Sequence, residues 1–453
     1  MGDPNASRAD VARLFGRAAF GATSTDLDLH TNRPYVDVVD FLLTVPDPAL
    51  RPPAADDVTR LQQESSGTAA TAAQWWLERM RTTTYPLEER LTLFWHDHWA
   101  TAIGESPAVP GVMKQNQTLR IHSLGSFRTM CQALTIDPAM LQWLDGERST
   151  KNKPNENYAR EFFELFTLGV FPQTYTETDI REAARAFTGW VVDPTTGAAR
   201  FEPSRHDTGT KTILGQTVTN LGAEEYKAVI EIALSQPIAS RFVAYKLVQN
   251  LAYVPTSLDL LADPDPLVEE IAAALRANDW QLRPAIRTML LSDNFRSASA
   301  AAGRQVVRQP VELCVHATKA TRLGANNGTL YSYLTRAGQT LLRPPNVGGW
   351  PVGKAWLSPS TTTARYDLAV QVANLHNQRA EQVRSLFLPA TADIDTGGAA
   401  WAAFMGLHAF TSNTLATLRS YLASRRGRGG VTEFELQAGV FVLAATSPDW
   451  QVM

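Results

Sequence analysis

Apolar residues recur every three or four positions along most of this chain, which places them on one face of an α-helix. In the first such segment, Ser7 can cap a helix in which Val11, Leu14 and Phe15 share a face. The same spacing returns in later segments, up to the stretch 432–446. The pattern predicts a mainly α protein, a multi-helical single large domain with more than half of its residues in helices.

The segment 190–218 departs from this pattern. Two short apolar runs flank Pro-Thr-Thr-Gly within 190–203, and this arrangement indicates a β-hairpin that 211–218 can extend. We therefore expect a small β-hairpin element near 190–218 in an otherwise helical chain. All residues are assigned to one helical domain, 1–453, with an internal subdivision near 235–240 left open.

Composition narrows the range of partners. The net charge of −3 lacks the basic bias that nucleic acid or an anionic membrane requires, so neither is expected as a partner. Cys131 and Cys314 stand far apart, which argues against a disulfide framework or a cysteine-based zinc site.

No run approaches the ~18 apolar residues of a membrane span. Residues 1–20 show no secretory signal, which predicts a cytoplasmic protein as written, or an exported one if a signal was trimmed.

The stretch FWHDHW places two histidines on either side of an aspartate. On a continuous helix, His96 and His98 point about 200° apart, so they cannot both bind one ion. His98 shares the apolar stripe of this helix and is either a buried core histidine or a ligand. We expect the helix to continue through Trp95, with His98 turned toward the helix predicted at 155–169. His96 would approach the same site only if the helix loosens at Asp97.

The helix predicted at 155–169 concentrates its polar residues on one side. This polar arc consists of Asn155, Glu156, Asn157, Arg160, Glu161 and Glu164. In one interpretation the arc is a solvated face, whose ion pairs four residues apart stabilise the helix by ~0.2–0.5 kcal/mol each. In the other, it is a carboxylate cluster facing a cavity, in which Glu161 and Glu164 hold a metal or handle protons.

Two loops offer further candidate residues. His206 and Asp207 follow the predicted hairpin and form either an ordinary turn or a ligand position. The Gly/Pro-rich loop 342–361 carries Trp350 and Trp356, which either pin a rigid turn or form a pocket wall that stacks on a sugar or another planar ligand. We expect Trp350 to lie against the polar site, because such backbone is costly to order unless it packs or binds.

The order of the motifs along the chain is more specific than any one of them. It runs FGRAAFGAT, FWHDHWAT, NENYAREFFELFTLGV, YTETDIREAARAFTGW, RHDTGTKTILG, PPNVGGWPVGKAW and ATSPDWQV. Over essentially its whole length the chain resembles the DUF1800 family of bacterial proteins, whose function is unsettled. The resemblance implies no reaction, but it implies that the histidine pair, the polar arc and the His206–Asp207 loop form one polar site. It also implies a DUF1501-type partner protein, because family members are often encoded beside one and many resemble exported proteins.

Two functions are consistent with these residues. The first is an enzyme with a polar His/Glu/Asp/Arg site, hydrolytic or oxidative, that acts on a small molecule or a carbohydrate. Its expected catalytic residues are Glu161, Arg160, His206 and Asp207, its ligand-binding residues Asn157 and Trp350, and its metal ligands His96, His98, Glu161 and Glu164. Imidazole and carboxylate together suit Zn, Mn or Fe, which could polarise a substrate or activate water. The alternative is a non-catalytic binding or assembly protein that acts with a partner protein.

Overall fold

The computed structural model of the chain describes residues 5–46, 67–171, 174–255, 257, 259–297, 306–325, 328–377 and 388–452. Helices account for 62% of this described part, which confirms the prediction of a mainly α protein. Within the same residues, no helix is long and apolar enough to cross a membrane. The prediction about a secretory signal falls partly on residues 1–4, which lie outside the described part.

The helices before the β element surround one buried helix. In chain order they are α1 (Arg8–Ala18), α2 (Ser24–His30), α3 (Tyr35–Leu43), α4 (Ala69–Thr82), α5 (Pro86–His98), α6 (Val109–His122), α7 (Phe127–Thr135), α8 (Pro138–Trp143), α9 (Glu156–Glu161) and α10 (Glu177–Ala186). A π-helical turn, Phe162–Thr167, continues α9. Helix α5 contacts α1, α3, α4 and α6, and nearly all of its residues are buried.

The remaining helices follow the β element. They are α11 (Glu225–Leu234), α12 (Pro237–Leu251), α13 (Pro266–Ala277), α14 (Leu282–Leu291), α15 (Asp293–Ser297), α16 (Pro310–Thr321), α17 (Gly328–Arg336), α18 (Pro359–Asn377), α19 (Ala392–Asp395), α20 (Ala399–Phe404), α21 (Ser412–Arg425), α22 (Glu433–Thr446) and α23 (Pro448–Gln451). Short 3-10 turns lie at Gly146–Arg148, Pro203–Arg205, Gly222–Glu224 and Gly353–Leu357.

Helix starts follow the local rules of capping. The Ser7 hydroxyl accepts a hydrogen bond from the Asp10 N–H at 3.1 Å, as the sequence predicts for the cap of α1. Thr176 and Asp179 form the same reciprocal box at the start of α10. Each box satisfies backbone N–H groups that a helix cannot pair internally, so these helix starts are determined locally.

The β element near 190–218 is present, and it consists of two separate hairpins rather than one extended hairpin. Strand β1 (Trp190–Val192) pairs antiparallel with β2 (Ala199–Phe201). Strand β3 (Lys211–Ile213) pairs antiparallel with β4 (Gln216–Val218). The 3-10 turn after β2 separates the two hairpins, which is why the second does not continue the first.

Buried apolar side chains form two cores in the described residues. The first core draws mostly on 6–45 and 87–306, and the second draws mostly on 72–80 and 307–450. Both sides of the subdivision left open near 235–240 lie in the first core. Helix α5 lies between the cores, because Leu91 packs in the first and Leu93 in the second.

A buried ion pair also joins the two cores. Arg90 of α5 lies 2.6 Å from a carboxylate oxygen of Glu312 on α16, and each side chain is 1% exposed. Arg90 further donates to the carbonyl of Asn250 at 3.0 Å. Because a buried charge is costly without a partner, these contacts favour one packing of α5 against both halves.

Candidate functional site

Helix α5 carries the histidine pair. Pro86 occupies its first turn, and the helix continues through His98, so the prediction of a helix through Trp95 is confirmed. The Trp99 N–H donates to the Trp95 carbonyl at 2.8 Å, which shows that the backbone does not loosen at Asp97. The two histidines therefore leave the helix on different sides.

His98 faces the segment after α9, as the sequence predicts. Its Nε2 lies 2.9 Å from the carbonyl oxygen of Phe166. Because a carbonyl only accepts, Nε2 carries the proton and donates. Burial lowers the pKa of His98 to about 3, with the charge of Lys246 acting in the same direction, so the ring is neutral. The partner is a backbone carbonyl and not a carboxylate of the polar arc.

The π-helical turn explains why this carbonyl needs a donor. The N–H groups of Leu168 and Gly169 both bond to the Phe163 carbonyl, which ends the helix. The last carbonyls of a helix have no intrahelical donor. His98 donates a hydrogen bond to the Phe166 carbonyl, so its role here is to satisfy an acceptor at a buried helix end.

Substitution of His98 tests this role. His98→Phe keeps a ring but removes the donor, and should lower the free energy of unfolding by about 1–3 kcal/mol, because a buried carbonyl is left unpaired. Denaturant unfolding measures the change. His122→Phe on α6, where the ring is partly exposed, should change stability by less than about 0.5 kcal/mol. Equal stabilities of the two variants would show that the His98 bond contributes nothing.

His96 points to the other side of α5 and is fully buried. Its ring lies 5.4 Å from the ring of Trp76 and 5.6 Å from that of Trp350. Neither ring nitrogen has a hydrogen-bond partner among the described residues. Burial lowers the pKa of His96 to about 3, so this imidazole is also neutral.

The expected metal site, built from His96, His98, Glu161 and Glu164, is not supported by this geometry. The described residues contain no group of three or more His, Cys, Asp or Glu side chains that could hold a metal ion. The physical reason is the uninterrupted helix, which directs His96 toward Trp76 and His98 toward a carbonyl. The prediction that His96 joins the site required a break at Asp97 that does not occur.

The polar arc behaves largely as a solvated face. Arg160 donates two hydrogen bonds to Glu177 of α10, at 2.8 and 2.7 Å, and lies 3.4 Å from Glu156 and 3.5 Å from Glu164. Hydrogen bonds with Glu177 raise the pKa of Arg160 above its usual value. This predicted catalytic residue therefore ties α9 to α10.

Two other members of the arc have no such role. Asn157 is exposed, and its N–H donates at 2.9 Å to the side-chain oxygen of Asn155, which caps the helix. Glu161 is partly exposed, and burial together with the charge of Glu164 raises the pKa of its carboxyl. These contacts leave the proton-handling interpretation of Glu161 open.

His206 and Asp207 are held in a second set of contacts. His206 is buried, donates from Nδ1 to the Thr188 carbonyl at 2.8 Å, and approaches Glu225 at 3.4 Å from Nε2. Asp207 accepts two hydrogen bonds from Arg185, at 2.8 and 3.1 Å. Both predicted catalytic residues thus fasten the loop to neighbouring helices.

The arc and the loop are not brought into one site. Arg160 contacts Glu177 in the first turn of α10, whereas Asp207 contacts Arg185 in its last turn. Eight residues of helix separate these contacts, which is a rise of about 12 Å. These contacts do not bring Arg160 and Asp207 together, and a shared catalytic centre stays a prediction.

The Gly/Pro-rich loop 342–361 closes over the end of α5. The N–H of Trp350 donates to Oδ1 of Asp97 at 2.6 Å. Gly349 has a φ of +83°, and a Cβ there would lie 2.3 Å from the same oxygen, so only glycine allows this approach. The ring of Trp350 lies against His96, one member of the predicted polar site, and Trp350 is only 5% exposed. Its ring is therefore packed against protein and has little surface left for a sugar.

Asp97 is the functional candidate that the sequence analysis missed. The residue is half-buried and lies in the chain between two fully buried histidines. Burial raises the pKa of Asp97 to about 6, while the Trp350 N–H and the charges of Lys246 and Arg90 lower it. Burial also lowers the pKa of Lys246, which lies on α12. No local pattern pointed to Asp97, because the donor that holds its carboxyl, the Trp350 N–H, lies 253 residues away in the chain.

These features define a mainly α protein with two cores and a half-buried carboxyl near the end of the helix between them. The chain belongs to the DUF1800 family, described as a protein of unknown function, whose family model matches residues 13–452. No curated protein and no solved structure matches the chain.

Proposed function

We propose that the chain is an enzyme that uses Asp97 as a general acid or base, in an acid–base reaction such as hydrolysis. One observation carries this proposal: Asp97 is a half-buried residue near the end of a buried helix, and its carboxyl is held in place by the Trp350 N–H. A carboxyl held in a fixed position beside partly exposed surface suits proton transfer to or from a substrate.

The protonation of Asp97 supports the same role. A carboxyl with a pKa of about 6 is present in both forms near neutral pH, so it can accept a proton and return it. Trp350 occupies Oδ1, and Oδ2 is the oxygen left for a proton from substrate or water. Lys246 adds a positive charge near this carboxyl, which favours a substrate or transition state that carries negative charge.

The substrate class follows from the surroundings of this carboxyl. The buried ring of Trp350 does not support the stacking of a carbohydrate, although the sequence suggested it. A small polar molecule with an anionic group fits the nearby cation better. Hydrolysis is the acid–base reaction that needs water as its only further reactant.

Asp97→Asn tests the proposal on chromogenic esters, phosphate monoesters and glycosides. We expect turnover of at least one class, with kcat/KM lowered about 10²- to 10⁴-fold in the variant. If Asp97 acts as a base, kcat/KM falls as the pH drops below about 6, because the carboxyl becomes protonated.

The matched control is Asp137→Asn. Burial also raises the pKa of Asp137 to about 6, but this carboxyl accepts the Met140 N–H at 3.0 Å as the cap of α8. Asparagine keeps that cap, so activity should stay close to that of the unmodified protein. Full activity in Asp97→Asn, or equal losses in both variants, would reject Asp97 as the proton-transfer group.

The metal-dependent form of the proposal is tested separately. Zn²⁺, Mn²⁺ or Fe²⁺ added to protein purified without an affinity tag would raise its melting temperature if one of them binds. A rise that disappears in Asp97→Asn would assign this carboxylate as a ligand rather than a proton carrier.

The alternative function, a binding or assembly protein that acts with a DUF1501-type partner, is favoured by a different observation. Arg160, His206 and Asp207 are all held in contacts between elements of the fold. Under this alternative, co-purification of the partner should survive Asp97→Asn and fail when Arg160 is replaced by alanine. The opposite pattern favours the enzyme.

A further inference from the structure

A second candidate site lies away from Asp97, in a cavity of about 350 Å³ beside α1. Its apolar wall includes Ala12, Leu407 and Val452. Its polar wall includes Arg13 and Arg308, with Asp449 as the one carboxylate among the lining residues. Two arginines against one carboxylate leave the lining with an excess of positive charge.

Arg308 is a buried guanidinium without an ion-paired carboxylate among the described residues. The side chain is 3% exposed, and Nη1 donates to Nδ1 of His316 at 2.7 Å. Its Nε has no hydrogen-bond partner among the described residues. Burial lowers the pKa of Arg308 to about 10, with Glu312 opposing, so the group still carries its charge at neutral pH.

His316 does not neutralise this charge. Its Nε2 lies 3.2 Å from the Ala22 carbonyl, which only accepts, so Nε2 carries the proton. Nδ1 is then the acceptor for Arg308, and the ring is neutral. The contact satisfies one N–H of Arg308, and the acid that acts on its charge, Glu312, forms its ion pair with Arg90 instead.

The other charged groups at the cavity are already engaged. Arg13 pairs with Asp10 at 3.4 Å and donates to the Arg296 carbonyl at 2.5 Å, but its Nε also lacks a partner among the described residues. Oδ2 of Asp449 accepts the Thr411 N–H at 2.7 Å. Both arginines therefore line the cavity with a guanidinium whose hydrogen bonding within the described residues is incomplete.

We propose that this cavity binds a small organic anion, with its carboxylate on Arg308 and Arg13 and a short apolar body against Ala12, Leu407 and Val452. A carboxylate matches the planar fork of a guanidinium in charge and geometry. The apolar wall favours a ligand with a hydrocarbon part over a bare inorganic ion. The site is independent of Asp97, so its failure would leave the proposed enzyme function untouched.

Benzoate is the probe for this site, with inorganic phosphate and chloride compared at equal ionic strength. We expect benzoate to raise the melting temperature in a saturable manner and to bind more tightly than phosphate. Arg308→Met should abolish the shift, and Arg13→Gln should weaken binding about tenfold or more, because a charge-assisted hydrogen bond is lost.

Two further variants keep the test decisive if Arg308→Met does not fold. Ala12→Phe fills the cavity without removing either arginine and should also abolish the benzoate shift. Arg8→Gln, on the same helix but paired with Asp28 outside the cavity, should bind benzoate like the unmodified protein. Benzoate binding that survives Ala12→Phe, no benzoate shift in the unmodified protein, or phosphate binding as tightly as benzoate would overturn the proposal.

Discussion

Replacement of Glu89 by glutamine is expected to lower the free energy of unfolding by about 3–5 kcal/mol, since it breaks a buried ion pair from one side. Glu89 on α5 is fully buried and accepts hydrogen bonds from Arg120 at 2.6 and 3.1 Å, from Arg79 at 2.5 Å and from the Trp76 indole at 3.0 Å. The variant leaves the Arg120 guanidinium buried without its counter-ion. Denaturant unfolding at neutral pH measures the loss.

The effect should depend on pH in a defined direction. Burial alone would raise the pKa of Glu89, but the charges and hydrogen bonds of Arg120 and Arg79 outweigh it and hold the pKa at about 2. A lowered pKa contributes stability above the ordinary value of 4.5, and this contribution is lost as the pH falls from there toward about 2. The difference between the protein and Glu89→Gln should therefore shrink across that interval.

Glu231→Gln is the control for this prediction. Glu231 pairs with Arg128 at 2.8 Å, but its side chain is 49% exposed, so the pair should contribute at most about 1 kcal/mol. Similar losses in the two glutamine variants would contradict the importance given to burial at Glu89.

Gly406→Ala is the second substitution with a large expected effect, a loss of about 2–5 kcal/mol. A Cβ at this position would lie 2.2 Å from the Ala22 carbonyl and 2.6 Å from Nε2 of His316. Neither the backbone nor the buried ring can move without breaking the His316–Ala22 hydrogen bond. Crowding of this kind costs about 1–3 kcal/mol, and the φ of +67° adds about 1–2 kcal/mol for alanine.

Gly427→Ala separates the two contributions. Its φ of +81° imposes the same backbone penalty, but a Cβ there meets nothing within 4 Å. We expect a loss of about 1–2 kcal/mol for this control. If thermal and denaturant unfolding give equal losses for both alanine variants, the close approach to His316 does not stabilise the fold.

His316 connects the first and last motifs of the chain. Ala22 belongs to FGRAAFGAT, and Trp450 of ATSPDWQV stacks on the His316 ring at 5.4 Å. Residues of the first and last motifs are thus assembled around one imidazole. Gly21, where a Cβ would lie 2.5 Å from this ring, has the same steric role as Gly406.

The sequence by itself determined the features that depend on near neighbours. Spacing of apolar residues predicted the helices, Ser7 predicted the start of α1, and the two-residue spacing placed His96 and His98 on different sides of α5. Helix geometry relates residues a few positions apart, so these directions can be derived without knowing the rest of the fold. The division of the β element into two hairpins was harder to predict, because their boundary depends on a short turn.

Only the tertiary structure decided what each polar side chain meets. The donor to Asp97 lies 253 residues away, at Trp350, and the acceptor of the His316 N–H lies 294 residues away, at Ala22. A local pattern contains no information about such partners. Arg160 ties two helices because Glu177 of α10 packs beside it. The pKa of Asp97 rises to about 6 because distant segments bury its carboxyl. Burial and hydrogen bonding are set by those contacts, and they determine the chemistry of a carboxyl more strongly than its position in a motif.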